Sequence, residues 1–299
     1  MSAVQKKTKG DIIFNVIIYV LTGLFSLMCI YPIYYVFIYS ISDPIMAQRG
    51  VTLYPRGFSL VGYQSLFQLN AILNAFVVSI LRTVIGTVAT VVACGFFAYL
   101  MTQDAMPFRK VIYRMMVITM YVGGGMIPVY LLMKEIHLIN TFWVYIIPSM
   151  FGAYNVILIK TYLESVSKSL QESAEIDGAG HFTIFFKIIV PVAMPILATI
   201  AVFSAVAHWG SWFDSMLYVS NPKLYCVQYL LYQYLNEATA LTKQLQQGGG
   251  NLNTMVMQQL TPESVKMAIT MVVILPILCV YPFMQRYFVK GLMIGAVKG

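Results

Sequence analysis

The chain has 299 residues, 59% of them apolar and only 10% charged, with a formal net charge of +8 and a mean hydropathy of +0.76. A soluble domain of ordinary make-up carries about 25% charged residues, so too few charges remain here to solvate a globular surface, and the composition points to an integral membrane protein. The basic residues sit singly or in pairs between long uncharged runs, which suits a topology signal and argues against a nucleic-acid partner.

In chain order, the basic start MSAVQKKTKG precedes a run from Ile12 to Ser42 with no charge. A cleavable leader has an apolar core of only about 7–15 residues, so a retained signal anchor is expected. Five further apolar runs follow, and the six expected spans are approximately 12–41, 74–101, 110–133, 139–162, 186–212 and 266–288. Each meets the requirement of about 20 residues set by a hydrocarbon core of roughly 30 Å. Between the first two, FSLVGYQSLFQLNAILNAF reads as an interfacial helix leading into the second span. Span two carries Arg82 some eight residues in, and shows small residues at Gly86, Thr90, Ala93 and Cys94. In span three, VGGGMIPVY reads as a broken helix serving as a joint on a path, or as small residues for close packing. The stretch QLQQGGGNLNTMVMQQLTPES before the last span reads as a mobile outer loop.

An inside N-terminus places twelve of the Lys and Arg residues in the cytoplasm and seven outside, the latter spread over longer loops. Both termini are therefore expected in the cytoplasm. The expected divisions are a cytoplasmic N-terminus (1–11), the first transmembrane helix with its outer loop (12–73), a transmembrane domain (74–288) containing a special loop at 169–191, and a cytoplasmic C-terminus (289–299).

That loop is a compact acidic, small-residue island in an otherwise apolar chain. ESAEIDGAGHFTIFFKIIVP, from Glu172 to Pro191, holds four charged side chains, one His and two Gly. Ser169 followed by Glu172 matches a capping box, Asp177 with Gly178 and Gly180 breaks the helix, and HFTIFFKII restarts one. On the first helix, Ser173, Ala174, Asp177 and Gly178 are expected to share a small-residue face on which another backbone could lie closely.

These residues carry a resemblance. ESAEIDGAGHFTIFFKIIVPVAMP resembles the EAA loop of permease subunits of binding-protein-dependent ABC importers: Glu172-Ser173-Ala174, three residues, Gly178, nine residues, then Ile188-Ile189-Val190-Pro191. Ser173 and Val190 depart from the family's Ala and Leu, both within the same size class. HWGSWFDSMLYVSNPKLYCVQYLLYQ, YVGGGMIPVYLLMKEIHLINTFWVYIIP and the C-terminal stretch from Thr261 are similar to the branch that imports complex oligosaccharides, although Trp209-Gly210 stands where Trp-Asn is usual. The resemblance implies an all-α, six-helix, type I importer permease in a bacterial inner membrane. It implies a second homologous permease, two ATPase subunits that hold ATP and Mg, a solute-binding protein and an oligosaccharide. It also implies that Glu172, Ser173, Ala174, Asp177, Gly178 and Ala179 meet the ATPase, with Gly178 making the turn and Glu172 reaching a partner Arg or Lys.

The residues themselves show no phosphate-binding G-x-x-x-x-G-K-[ST], no H-E-x-x-H and no C-x-x-C; Ser165-Val166-Ser167-Lys168 matches S-x-x-K without its partner motifs. Catalytic residues, metal ligands and a cofactor of its own are not expected. Candidates for a sugar path are Arg82, Tyr121, His208, Trp209, Trp212 and Asp214, with Tyr130 and Trp143 as further aromatics. Arg82 could pair with Asp214, meet an anionic sugar or snorkel outward. The alternative class is an ion-coupled carrier or channel, which would leave the acidic loop without a purpose.

Overall fold

In the computed structural model, residues 9–51, 53–67, 70–246 and 262–296 are described, and their regular structure is helical, with one isolated antiparallel bridge between Ser42 and Phe58. Residues 247–261 of the Gln-rich stretch lie outside the described residues, as do 1–8 and 297–299. The chain divides into two compact units, residues 1–68 with 235–272, and residues 69–234 with 273–299.

In the first unit, α1 (Lys9–Ser40) is about 48 Å long at 1.5 Å per residue. Its apolar side chains are exposed almost throughout, as suits a helix whose solvent is lipid. Only its end is buried, where Ile38 and Tyr39 pack with Ala47 and Val51, and with the half-buried Tyr35 and Met267. Asp43 caps α2 (Pro44–Ala47) through Oδ1, which accepts from the N–H groups of Ile45 and Met46 at 3.0 and 3.1 Å, while Pro44 opens the helix where no donor is needed. α3 (Val61–Phe67) supplies the short helix expected ahead of the second span.

In the second unit, α4 (Asn70–Thr102) is the central element. Its small residues let other helices close on it. A Cβ on Gly86 would overlap the His208 ring, and one on Gly95 would stand 3.3 Å from Leu197 Cδ2. Tyr99, Cys94 and Ala98 are fully buried with Val156, Ile184, Phe185 and Ile200.

Among the described residues, three helices are long and apolar enough to cross a membrane by themselves: Lys9–Ser40, Ala71–Thr102 and Glu263–Pro282, the last within a helix running Pro262–Ala296. The other expected spans are not continuous helices. The third is divided into α5 (Arg109–Ile118) and α6 (Met126–Glu135), ten residues or about 15 Å each. Gly125, at φ +80°, starts α6 in a conformation that bars other residues, and an added Cβ at Gly123 would meet nothing, so these glycines break the helix rather than let this chain pack closely on them. The fourth is a 3-10 turn (Phe142–Tyr145) followed by α7 (Ala153–Leu163).

The fifth is bent by 86° between His181–Val192 and Met194–Gly210. Pro195 has no N–H to give the Pro191 carbonyl across Ala193, Pro191 removes another donor just before the bend, and the Tyr162 hydroxyl satisfies the Val192 carbonyl at 3.2 Å. Between residue 212 and the Gln-rich stretch two helices form, Phe213–Tyr218 and Val227–Gln246. Val227 and Leu230, three residues apart, are buried there on one face.

Candidate functional site

The acidic loop folds as a hairpin of two unlike legs. The first leg is α8 (Ser169–Ile176). Ser169 is its first helical residue rather than its cap, because the first intrahelical acceptor is the Lys168 carbonyl, which takes the Glu172 N–H at 3.0 Å. The Ser167 hydroxyl reaches Ser169 instead, and the Glu172 carboxylate stays exposed.

The helix ends in a left-handed glycine. Gly178 has φ +80°, its N–H goes to the Glu175 carbonyl at 3.0 Å, and the Ala179 N–H goes to the Ala174 carbonyl at 2.9 Å. This is a Schellman arrangement, with Ala174 and Ala179 as its apolar pair. Both alanines pack inward on the core under α4, whereas Glu172, Ser173, Asp177 and Gly178 are exposed. The single small face expected from spacing is therefore split: Ser173 and Asp177 point out, and Ala174, about 100° further round, points in. Ile176 is 86% exposed at the helix end, a large apolar side chain left uncovered among the described residues.

Polar bonds fasten this leg to the turn after α4. Gln103 Nε2 donates to Gln171 Oε1 at 2.9 Å, and Asp104 receives Lys168 at 2.7 Å and Arg109 at 2.6 Å. The Lys168 hydrogen bond, then the Arg109 charge, hold the Asp104 carboxyl below its usual range. Sequence reading missed these anchors; the one signal was a solitary Asp in a turn otherwise basic.

The second leg is α9 (His181–Ile184), a π turn (Phe185–Ile189) and α10 (Val190–Val192). It is held to α4 by aromatic rings, Phe182 stacked on Phe96 at 5.0 Å and Phe185 edge-on to Phe96 at 5.2 Å. Such pairs add about 0.5–1.5 kcal/mol each beyond burial. One leg thus presents charge outward while the other is bound to the body, the geometry of a lever.

A second constellation surrounds Arg82. Its guanidinium forms an ion pair with Asp214 through Nη2 and Oδ2, adds Nη1 to Asp214 Oδ1 at 3.2 Å and to the Ser211 carbonyl at 3.3 Å, and lies 4.3 Å above the Tyr145 ring. Its side chain is 2% exposed. Pairing with Asp214 is thus the role the structure shows for it. The Tyr145 hydroxyl donates to the Leu224 carbonyl at 2.8 Å, so it accepts from Ser215 Oγ at 2.9 Å. Ser215 Oγ in turn accepts from the Cys226 N–H at 3.4 Å, and Ser79 Oγ from the Val227 N–H at 2.9 Å. Burial raises the Cys226 thiol pKa. Tyr145, Ser215 and Ser79 are residues that sequence reading passed over, since hydroxyls in apolar runs give no pattern.

The remaining path candidates scatter. His208 lies buried against Gly86, one turn along α4 from Arg82. Trp209 is buried and donates its Nε1–H to the Val273 carbonyl at 3.1 Å. Trp212 stacks on Tyr232 at 4.1 Å, Tyr130 on Tyr218 at 6.1 Å, and Trp143 sits edge-on to Phe142. Tyr121 is exposed at the break between α5 and α6. Among the described residues, no group of three or more His, Cys, Asp or Glu could hold a metal.

Comparison with known proteins places this geometry. The family described as "binding-protein-dependent transport system inner membrane component" matches residues 1–294. A Bacillus subtilis protein named polygalacturonan/rhamnogalacturonan transport system permease protein YtcP is 33% identical over 96% of this chain and 99% of its own. Protein LplC of the same organism is 32% identical over 98% and 97%. A crystal structure of a bacterial ABC transporter involved in import of the acidic polysaccharide alginate contains a chain with TM-score 0.85 and 28% identity, covering 95% of this chain and all of that one. The chain belongs to the inner-membrane components of binding-protein-dependent transport systems: it is a membrane permease of an ABC importer, working with a partner permease, an ATPase and a binding protein.

Proposed function

We propose that this chain forms half of the translocation pathway for an acidic oligosaccharide handed over by a solute-binding protein, and that residues 169–191 couple it to one of two ATPase subunits. The second half of the pathway comes from a homologous permease. The chain crosses the membrane six times, with α5 and α6 together making one crossing and both termini in the cytoplasm. The basic-residue bias of the loops and the relatives' named substrates support this reading.

The observation that carries it is the asymmetry of the hairpin. Glu172, Ser173, Asp177 and Gly178 are exposed on a leg whose other side is anchored by Ala174, Ala179 and Gln171. A cationic side chain of the ATPase meets the Glu172 carboxylate, and Ile176 fills an apolar recess beside it. Movement of the ATPase then turns α8, and the aromatic lock on Phe96 passes the motion to α4. Acceptance of an acidic sugar requires cationic groups other than Arg82, whose charge Asp214 has already matched. The same pairing disfavours an ion-coupled carrier, which needs an unmatched ionisable group within the spans.

Gly178→Asp tests the coupling. An added Cβ would meet nothing within 4 Å in this chain, so the fold is retained apart from strain at φ +80°. The variant is expected at wild-type level in the membrane, hydrolysing ATP with its partners, while uptake falls by roughly tenfold or more, within the usual range of coupling energies. Wild-type uptake would remove the hairpin from the mechanism.

A further inference from the structure

A cleft of about 290 Å³ opens where α4 and α7 end and α5 begins; Asp104, Lys168 and Gln171 on its wall anchor the coupling hairpin, but its remaining cationic side chains have no part in the proposed transport mechanism. Its base is apolar, with Met101 and Leu163 both buried. Around it stand Arg109, Lys110, Lys160 and Lys168, four cationic side chains, against two carboxylates, Asp104 and Glu164. Asp104 is shared by Arg109 and Lys168, and Glu164 is engaged by Lys160 at 2.5 Å. Among the described residues Lys110 has no carboxylate within ion-pair distance. The cleft therefore carries a surplus of two positive charges.

The start of α5 increases that surplus. Arg109 and Lys110 occupy its first turn, at the positive end of the helix dipole, where acidic residues are favoured and cations are not. No acidic residue lies in that turn and no side chain caps it. Phe108, immediately before, takes a left-handed φ of 56° that costs a non-glycine residue strain, and its ring is 79% exposed. A bare apolar ring next to cationic side chains is the combination by which interfacial helices hold lipid.

We propose that this cleft binds the phosphodiester headgroup of an anionic phospholipid, with Arg109, Lys110 and Lys160 around the phosphate and Phe108 in the acyl region. The shared chemistry is a phosphate anion, and a lipid is favoured over a free ion because Phe108 and the apolar base both suit acyl chains. Since Asp104 and Lys168 join this cleft to the first turn of α8, headgroup occupancy also stiffens the anchored side of the coupling hairpin.

The test uses the assembled importer purified in detergent and titrated with phosphatidylglycerol, phosphatidylcholine or inorganic phosphate, with retained lipid counted by native mass spectrometry. Each cation near an anionic headgroup is worth about a fivefold change in affinity. Arg109→Gln together with Lys110→Gln is thus expected to weaken phosphatidylglycerol retention roughly 25-fold and leave phosphatidylcholine unaffected. Glu164→Gln, which removes a competing carboxylate, is expected to tighten retention about fivefold, a gain that loss of folding cannot mimic. Equal retention by wild type and the double variant overturns the proposal, as does inorganic phosphate displacing phosphatidylglycerol mole for mole. Lipid counting needs no sugar and no uptake, so its failure leaves the importer reading standing, and failure of the coupling test leaves this one standing.

Discussion

Arg82 shows how one residue's meaning changes with its neighbours. Alone in a span, a guanidinium costs several kcal/mol and suggests a passage for ions or substrate. Paired with Asp214 and covered by the Tyr145 ring, it becomes a tie between α4 and the segment after residue 210. Its Nε has no hydrogen-bond partner among the described residues, so the arrangement is held by the two Nη groups and the ring. Removing one partner strands the other. Asp214→Asn is expected to lower stability by about 3–5 kcal/mol, read as a fall in the thermal midpoint of the purified complex. Replacing both, as Arg82→Met with Asp214→Leu, is expected to recover most of that loss. An unchanged midpoint in Asp214→Asn would mean that the pair holds nothing together.

Among the elements, α4 decides the most. It meets α11 (Met194–Gly210) through small residues, with Gly86 directly against the His208 ring. Lipid offers an apolar helix nearly the same solvation as a neighbouring helix does, so association rests on close packing rather than on the hydrophobic effect. Gly86→Ala places a methyl group on the imidazole, and overpacking of this kind costs about 1–3 kcal/mol. A lower thermal midpoint is expected, with rescue by His208→Ala in the same chain. Should Gly86→Ala alone melt like wild type, the two helices are further apart than described. At the other end of α4, Phe96 and Tyr99 hold the second leg of the hairpin, so the same helix serves packing and transmission.

For the whole molecule, a permease must present one end to an ATPase and the other to a binding protein. The proposed orientation puts the 169–191 hairpin inside and the segment around Lys223 outside. In a variant lacking its four native cysteines, a membrane-impermeant maleimide applied to intact cells is expected to label Lys223→Cys and to spare Ser165→Cys. The reverse pattern would turn the chain over and detach the hairpin from any cytoplasmic engine. Tyr121 in the break and Ile127 and Leu131 on α6 are apolar side chains that the described residues leave exposed.

Composition alone pointed to an integral membrane protein, because 10% charge cannot solvate a globule, and the length of the apolar runs pointed to helices. The loop from Glu172 to Pro191 identified its family, because turn residues at fixed spacing are a local property of the chain. Gly178 was legible for that reason: a left-handed turn that ends a helix favours glycine, which adopts φ +80° without strain. Continuity of the spans was not legible. Hydropathy counts apolar residues without regard to the ladder of hydrogen bonds, so it could not tell one 24-residue helix from α5 and α6, or foresee the 86° bend at Ala193. The partners of Arg82, the inward turn of Ala174 and the cationic cleft were likewise decided only in three dimensions. Each depends on residues tens of positions apart meeting across helices, and no local pattern encodes such meetings.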